Sequence, residues 1–246
     1  MKYQSRAAVF CFFLLIEAAL IFVPRLQSAQ TPVYVYNSFG PGNTYVNYAY
    51  WGVHGASLPG GFVGHAESFV PTLSGNLGTL QVAIVQVSGG DGLANFFVAA
   101  DNGGTPGIML ESFMNVVAPA SGSSSFLVTM NSITQPLLQG GTTYWLCLEP
   151  ADDTTAIGWF ANSQGYVGEY AQESPPGAWA AAPVTFGANG VFDVSVTPVP
   201  EPALAGLLFL AVSCLSSLSV LSISVHDRKF GLFRRVTSKL FSPRIA

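Results

Sequence analysis

Short apolar runs separated by turn residues fill the chain between Pro32 and Val196. The runs are five to nine residues long and rich in Val, Phe, Ile, Tyr and Trp, which is typical of strands. Clusters of Gly, Asn, Asp and Ser lie between them and favour turns, and no window has a helical period. The pattern predicts strands at Leu80–Val87, Ala94–Ala100, Met109–Val117, Phe126–Met130, Thr143–Leu148, Ile157–Ala161 and Val191–Val196.

Many short strands at this spacing predict an all-β domain, and we expect an antiparallel β-sandwich with jelly-roll-like connectivity. In the first predicted strand, Leu80, Val82 and Ile84 occupy alternate positions, which predicts that one face is more deeply buried than the other. The segment 101–107 lies between two predicted strands. Its glycines predict a hairpin or connecting loop with positive φ angles.

The N-terminal segment has the three parts of a secretory signal. Lys2 and Arg6 precede an apolar run from Ala7 to Val23, and small and polar residues follow up to Ala29. A charged start, an apolar middle and a small residue before the cut predict a signal peptide over 1–29. An uncleaved N-terminal anchor is the alternative.

The C-terminal segment has the composition of a membrane anchor. Prolines at 198, 200 and 202 end any strand, because each fixes φ and removes a backbone donor. The next 23 residues, 203–225, carry no charge and as a helix would span about 34 Å, enough to cross a bilayer. We therefore expect a domain over 30–197 and a sorting segment over 198–246 with a transmembrane helix at 203–225. Basic residues follow that segment at Arg228, Lys229, Arg234 and Arg235.

Positive charge is confined to the two ends of the chain. All nine Lys and Arg residues lie at or before Arg25, or at Arg228 and beyond, whereas ten acidic residues lie between Gln30 and Val199. A domain without Lys or Arg cannot neutralise phosphates, so we expect no nucleic-acid partner. Because basic flanks stay in the cytoplasm, the acidic domain is predicted to lie outside the cytoplasmic membrane. Cys147 is the one cysteine of the domain and is expected to be a small buried core residue.

Several acidic residues lie where loops are predicted. Asp152 and Asp153 could supply oxygen ligands to Ca²⁺, with Asp101 added if the two loops meet, although a solvated acidic turn is the alternative. His54 and His65 alone are too few for a zinc site. We therefore expect no cofactor and no firm metal site.

Two further groups of residues could bind or act on sugars. A glycosidase needs two carboxylates, and Glu169 with Glu173, or Glu149 with Asp153, has a spacing that permits one. Aromatic residues also cluster near position 50. Tyr48 and Tyr50 would share one strand face, with Trp51 on the other. These three side chains could stack on a glycan or form part of the core.

Two parts of the chain resemble known families. Pro200-Glu201-Pro202, the apolar segment and the basic cluster together resemble the PEP-CTERM sorting signal of exported bacterial proteins. That resemblance implies recognition by an exosortase-type membrane enzyme, removal of the tail and transfer to the cell surface or matrix. The segment 101–107, Tyr144-Trp145-Leu146 and Trp159 make the domain similar to the choice-of-anchor domains of type R, which implies a β-sandwich and no particular activity.

These observations together predict an exported, membrane-sorted protein of the surface or extracellular matrix with a structural or adhesive role. Its expected partners are the membrane, an exosortase-type enzyme and extracellular polysaccharide. A carbohydrate-binding surface module is one alternative, and a surface glycoside hydrolase is another. No catalytic constellation is evident, so the chain is not expected to be an enzyme.

Overall fold

Strands form where β-branched and aromatic residues alternate with smaller or polar ones, because such side chains fit a pleated, half-buried surface. The computed structural model describes residues 31–87, 89–174, 177–182 and 189–199. Within those ranges the chain forms strands and no helix. The strands are β1 (Val33–Asn37), β2 (Tyr45–His54), β3 (Gly64–Phe69), β4 (Gly75–Gln86), β5 (Leu93–Asp101), β6 (Pro106–Val117), β7 (Leu127–Asn131), β8 (Leu137–Leu138), β9 (Tyr144–Pro150), β10 (Ala156–Asn162), β11 (Tyr170–Glu173), β12 (Trp179–Ala181) and β13 (Phe192–Pro198).

The strands assemble into two sheets, and every pairing between named strands is antiparallel. The first sheet has the order β1-β13-β4-β10-β2, and β7 and β8 also pair with β4. The second has the order β12-β11-β3-β9-β5-β6. The prediction of an all-β fold is therefore confirmed, and the two antiparallel sheets are consistent with a β-sandwich.

Contacts divide the chain into two units, Met1–Pro198 and Val199–Ala246. The sheets belong to the first unit, and of the second only Val199 lies in the described ranges. The predicted signal peptide and the predicted membrane helix at 203–225 lie outside the described residues. In the part of the chain that is described, no helix has the length and apolar character needed to span a membrane.

The main core lies between the two sheets. Strand β4 contributes Leu80, Val82 and Ile84 from the first sheet, and each is fully buried. The second sheet contributes large side chains from β5 and β9, including Phe96 and Leu146. Burying one such side chain stabilises the fold by roughly 1.5–3 kcal/mol, so this layer provides most of the driving force. Leu80, Val82 and Ile84 share the face that packs into the main core, as the alternation predicts, but the opposite face is also buried at Ala83 and Val85.

Each sheet also carries apolar residues on its outer face. On the second sheet, Trp145 and Cys147 are fully buried in a small cluster with Phe97, which confirms the core position predicted for Cys147. On the first sheet, Val85 and Phe160 belong to a separate outer cluster. Strands that bury both faces read as continuous apolar runs, which explains why β9 was recognisable in the sequence.

The seven predicted strands are confirmed as β4, β5, β6, β7, β9, β10 and β13, with shifts of a few residues at their ends. The hairpin between β5 and β6 is also confirmed. Gly103 and Gly104 have φ angles of 69° and 92°, and their N–H groups both donate to the Asp101 carboxylate. Strands β1, β2, β3, β8, β11 and β12 were not among the seven apolar runs.

Candidate functional site

A groove lies on the outer face of the first sheet, where β2, β10 and β4 run side by side. The groove has a volume of about 330 Å³. Its floor includes aromatic and aliphatic side chains, and its rim includes amide and hydroxyl groups. The lining residues are Asn47, Tyr50, Val85, Gln86, Val87, Ser121, Gly122, Phe126 and Phe160.

Strand β2 is irregular beside the groove. Tyr50 pairs with Phe160, but the next residue of β10, Ala161, pairs with Val46. Residues 47–49 therefore bulge away from the ladder, as happens where extra residues are inserted into one strand. Tyr48 lies in this bulge and is 87% exposed.

Tyr50 is held in place by its neighbours on β10. Gly158 has no side chain, and a Cβ there would lie 2.6 Å from Cγ and Cδ2 of Tyr50, so the ring occupies the space above this glycine. The ring also meets Phe160 edge-on, with centroids 6.1 Å apart and an interplanar angle of 84°. Tyr50 nevertheless remains 48% exposed. The result is a fixed aromatic ring that faces solvent at the groove.

The aromatic residues predicted as glycan contacts are divided between the two faces of the sheet. Trp51 faces inward, packs against the main core and stacks on Tyr170 with ring centroids 4.9 Å apart. It therefore does not share the outer groove with Tyr50. Tyr48 and Tyr50 both lie outside, but the break in the ladder between them means that strand alternation does not relate their positions.

His65 lies between the sheets beside Trp51. Its Nε2 lies 2.9 Å from the carbonyl oxygen of Gly52, which can only accept, so Nε2 carries the proton. Nδ1 then accepts from the hydroxyl of Tyr170. Burial lowers the pKa of His65 to about 4, so the ring is neutral at physiological pH. His54 donates from Nδ1 to the carbonyl oxygen of Gly61, at 2.5 Å.

The acidic residues predicted as calcium ligands lie at opposite ends of β9. Asp101 follows Ala100, which pairs with Tyr144 at the start of β9. Asp152 lies two residues after Pro150, at the end of β9. Asp101 accepts from the indole N–H of Trp145 at 2.8 Å, and this bond lowers its pKa. The structure therefore does not bring Asp101 and Asp152 together.

Asp152 instead approaches Asp91. The Thr154 hydroxyl lies 2.8 Å from Oδ1 of Asp152 and 3.0 Å from Oδ2 of Asp91, and its bond to Asp152 lowers the pKa of that carboxyl. Asp153 contributes its backbone carbonyl, which accepts from the N–H of Ser57. Among the residues that the structure describes, no three His, Cys, Asp or Glu side chains are grouped so that they could hold a metal ion.

The structure joins two carboxylates that the sequence had assigned to different pairs. Glu149 on β9 and Glu173 on β11 approach each other across Gly64 of β3. Burial, the charge of Glu173 and side-chain hydrogen bonding to Glu173 raise the pKa of Glu149 to about 8. Glu173 is 2% exposed, and its Oε2 finds no N–H or O–H donor in the described part of the chain. A proton held by Glu149 would satisfy that oxygen.

The carboxylate pairs proposed from the sequence differ from the pair that the structure brings together. Glu169 is exposed and precedes β11, whereas Glu173, at the end of that strand, is buried. Glu149 and Asp153 are separated by the end of β9 and its turn. The sorting motif Pro200, Glu201 and Pro202 and the basic cluster Arg228, Lys229, Arg234 and Arg235 lie outside the described residues.

The fold and the groove define an all-β protein with two antiparallel sheets and a fixed aromatic ring on one outer face. No family model matches the chain, and no curated protein matches it. The resemblances to a PEP-CTERM signal and to choice-of-anchor domains thus rest on the motifs quoted above and stay predictions.

Proposed function

We propose that this chain is an exported, membrane-sorted bacterial protein of the cell surface or extracellular matrix, and that its β-domain has a structural or adhesive role rather than an enzymatic one. The observation that carries the proposal is the segregation of charge. Lys and Arg occur only up to Arg25 and from Arg228 onward, while the body between them is purely acidic apart from histidine. Basic flanks are retained in the cytoplasm during membrane insertion, so this distribution favours a translocated body.

The two ends supply the route. A signal peptide over 1–29 would direct export, and the apolar segment 203–225 would stop in the membrane with its basic tail inside. Pro200-Glu201-Pro202 resembles the site that an exosortase-type enzyme reads, which would release the domain to the surface or matrix. An ordinary single-span anchor is the alternative to sorting. For the β-domain we propose a β-sandwich with jelly-roll-like connectivity.

Support for a non-catalytic role comes from the described carboxylates. Glu149 and Glu173 meet directly over Gly64, whereas the carboxyl groups of a retaining glycosidase stand about 5 Å apart with the scissile bond between them. The fixed and exposed ring of Tyr50 favours binding over hydrolysis at the surface. A carbohydrate-binding module is accordingly the second candidate function.

Export can be tested by inserting an epitope tag between Gly103 and Gly104, in the exposed turn of the β5–β6 hairpin. Intact cells are treated with a protease that cannot cross the membrane, and lysed cells serve as the control. We expect the tag to be lost from intact cells and to co-fractionate with the envelope or matrix. A tag that is protected in intact cells and soluble in the cytoplasmic fraction would contradict the proposal.

Sorting can be tested by mass spectrometry of the mature termini in cells that contain an exosortase-type enzyme. We expect an N-terminus near Gln30 and loss of the segment that follows Pro202. Glu201→Ala should leave the tail attached, whereas Asp227→Ala, a charge removed beyond the apolar segment, should be processed normally. Retention of the tail in the unaltered protein would favour the plain membrane anchor over sorting.

A further inference from the structure

We infer that the groove on the outer face of the first sheet binds a neutral saccharide, through stacking of one sugar face on the ring of Tyr50. This inference deepens the proposed adhesive role by naming the ligand and rests on it only for biological context. The groove has a volume of about 330 Å³, at the lower end of the roughly 300–1,000 Å³ range of ligand sites. It therefore suits a short saccharide segment.

The aromatic platform is built before any ligand arrives. Tyr50 occupies the space above Gly158, and Phe160 fixes it from the side with centroids 6.1 Å apart. Phe126 packs against the same Phe160 at 5.2 Å, which holds the opposite wall. A rigid ring loses little conformational freedom on binding, so it presents a ready apolar surface to the C–H face of a pyranose.

The charge of the groove selects the ligand class. The described residues that line it carry no charged side chain, and its polar groups are the neutral side chains of Asn47, Gln86 and Ser121. Gln86 donates from Nε2 to the carbonyl oxygen of Gly90 at 2.9 Å, which orients its amide. Amides and hydroxyls match the hydroxyl groups of a sugar. An acidic sugar would meet no Lys or Arg anywhere in a strongly acidic domain and would be repelled.

The bulge of β2 places a second exposed aromatic residue next to the groove. Tyr48 directly follows Asn47, which lines the groove, and is 87% exposed. An isolated exposed tyrosine needs no explanation, but one carried on a bulge beside a residue that lines the groove would be available to a longer glycan. We therefore expect chains of several sugar units to bind more tightly than a monosaccharide.

The test is calorimetric titration of the full-length protein, kept in a detergent without a sugar headgroup, with cello-, xylo- and malto-oligosaccharides. Polygalacturonate serves as the acidic comparison. We expect saturable binding of at least one neutral series and none of the acidic polymer. Tyr50→Ala should weaken binding by up to about tenfold, which corresponds to about 1.4 kcal/mol and is near the upper end for an aromatic contact. Tyr34→Ala is the matched control, since Tyr34 is 64% exposed on β1 at the opposite edge of the same sheet.

A pair of glycine variants tests the geometry without removing the ring. Gly158→Ala places a methyl group 2.6 Å from two atoms of Tyr50 and should displace the ring and weaken binding severalfold. Its pairing partner on β2, Gly52, has no atom within 4 Å of an added Cβ, so Gly52→Ala should bind normally. Thermal unfolding confirms that each variant is folded.

Three results would overturn the inference: no neutral oligosaccharide binds the folded protein, the acidic polymer binds better, or Tyr50→Ala keeps the original affinity. The protease-accessibility experiment reads out export independently of any ligand. If the domain is outside the cell and the titrations are blank, the groove assignment fails while the proposed export stands.

Discussion

We expect this protein to lose stability as the pH rises, and replacing Glu149 by glutamine should flatten that loss. Glu149 and Glu173 reach toward each other from the strands on either side of β3. They meet over Gly64, where a Cβ would lie 3.2 Å from Oε2 of Glu173 and 3.4 Å from Cγ of Glu149. No Lys or Arg lies between Arg25 and Arg228 to neutralise them, so a shared proton is the remaining way to do so.

The sign and size of the effect follow from the pKa of Glu149, which the folded protein raises from 4.5 to about 8. Between these two values the folded chain keeps a proton that the unfolded chain has released, so stability falls as the pH rises through this window. Below about pH 4.5 Glu149 is protonated in both the folded and the unfolded chain, so it no longer changes the stability with pH. At about 1.4 kcal/mol per pH unit the upper bound is about 5 kcal/mol. Because Glu149 is partly exposed, solvent screening reduces this, and we expect about 1–3 kcal/mol.

The assay is urea unfolding followed by tryptophan fluorescence at pH 5, 6, 7 and 8. Glu149→Gln keeps a donor for Oε2 of Glu173 but does not titrate, so it should match the original protein within about 1 kcal/mol at pH 5 and exceed it by about 1–3 kcal/mol at pH 8. Glu169→Gln removes the same formal charge from an exposed site and controls for net charge. If Glu149→Gln and the unaltered protein lose stability in parallel from pH 5 to 8, the shared proton does not exist.

Two other titratable groups should give a pH dependence opposite to that of Glu149, because both lose their stabilising effect as the pH falls. Glu111 is 4% exposed, and burial raises its pKa, but hydrogen bonds donated by Ser132, Ile133 and Thr134 outweigh this effect and lower the pKa overall. Glu111→Ala should therefore reduce the free energy of unfolding by roughly 2–3 kcal/mol at pH 7, measured by urea unfolding. The reduction should become smaller as the pH falls below the usual carboxyl range. Burial lowers the pKa of His65 from 6.5 to about 4, so its stabilising effect is lost as the pH falls from about 6.5 to about 4. NMR titration of the ring should give a midpoint near 4, and a midpoint near 6.5 would refute the assignment.

The apolar pattern was enough to predict the central strands but not the strands with polar interiors. Strands β4, β5 and β9 bury continuous apolar runs and were recognisable. Strand β3 was not, because it directs His65 and Glu67 toward the interior, where the rule of apolar core positions would place aliphatic residues. Those side chains are tolerated since His65 finds partners in Gly52 and Tyr170, and such long-range partners are invisible in the local sequence.

The site was predictable where it follows from strand geometry and not where it follows from strand pairing. A period of two places Tyr50 and Trp51 on opposite faces, as the structure confirms. The bulge that exposes Tyr48 depends on the register with β10, which sequence spacing does not fix. The contact of Glu149 with Glu173 depends on β3 lying between β9 and β11 and on Gly64 within it. Gly64 was the only local signal, and a single glycine in a strand has many explanations.

A domain that buries acids without any Lys or Arg has two ways of doing so, and this one uses both. Glu111 keeps its charge because hydroxyl and backbone N–H groups of residues 132–134 donate to it. For Glu67, complete burial instead favours the protonated form, because it raises the pKa, and a bond from the N–H of Gly190 offsets only part of that effect. Neither solution requires a cation. The absence of Lys and Arg that favours export is therefore compatible with burying these two acids. It also follows that the raised pKa values of Glu67 and Glu149 favour a domain that is more stable in mildly acidic surroundings than in alkaline ones, against the opposite effect of His65.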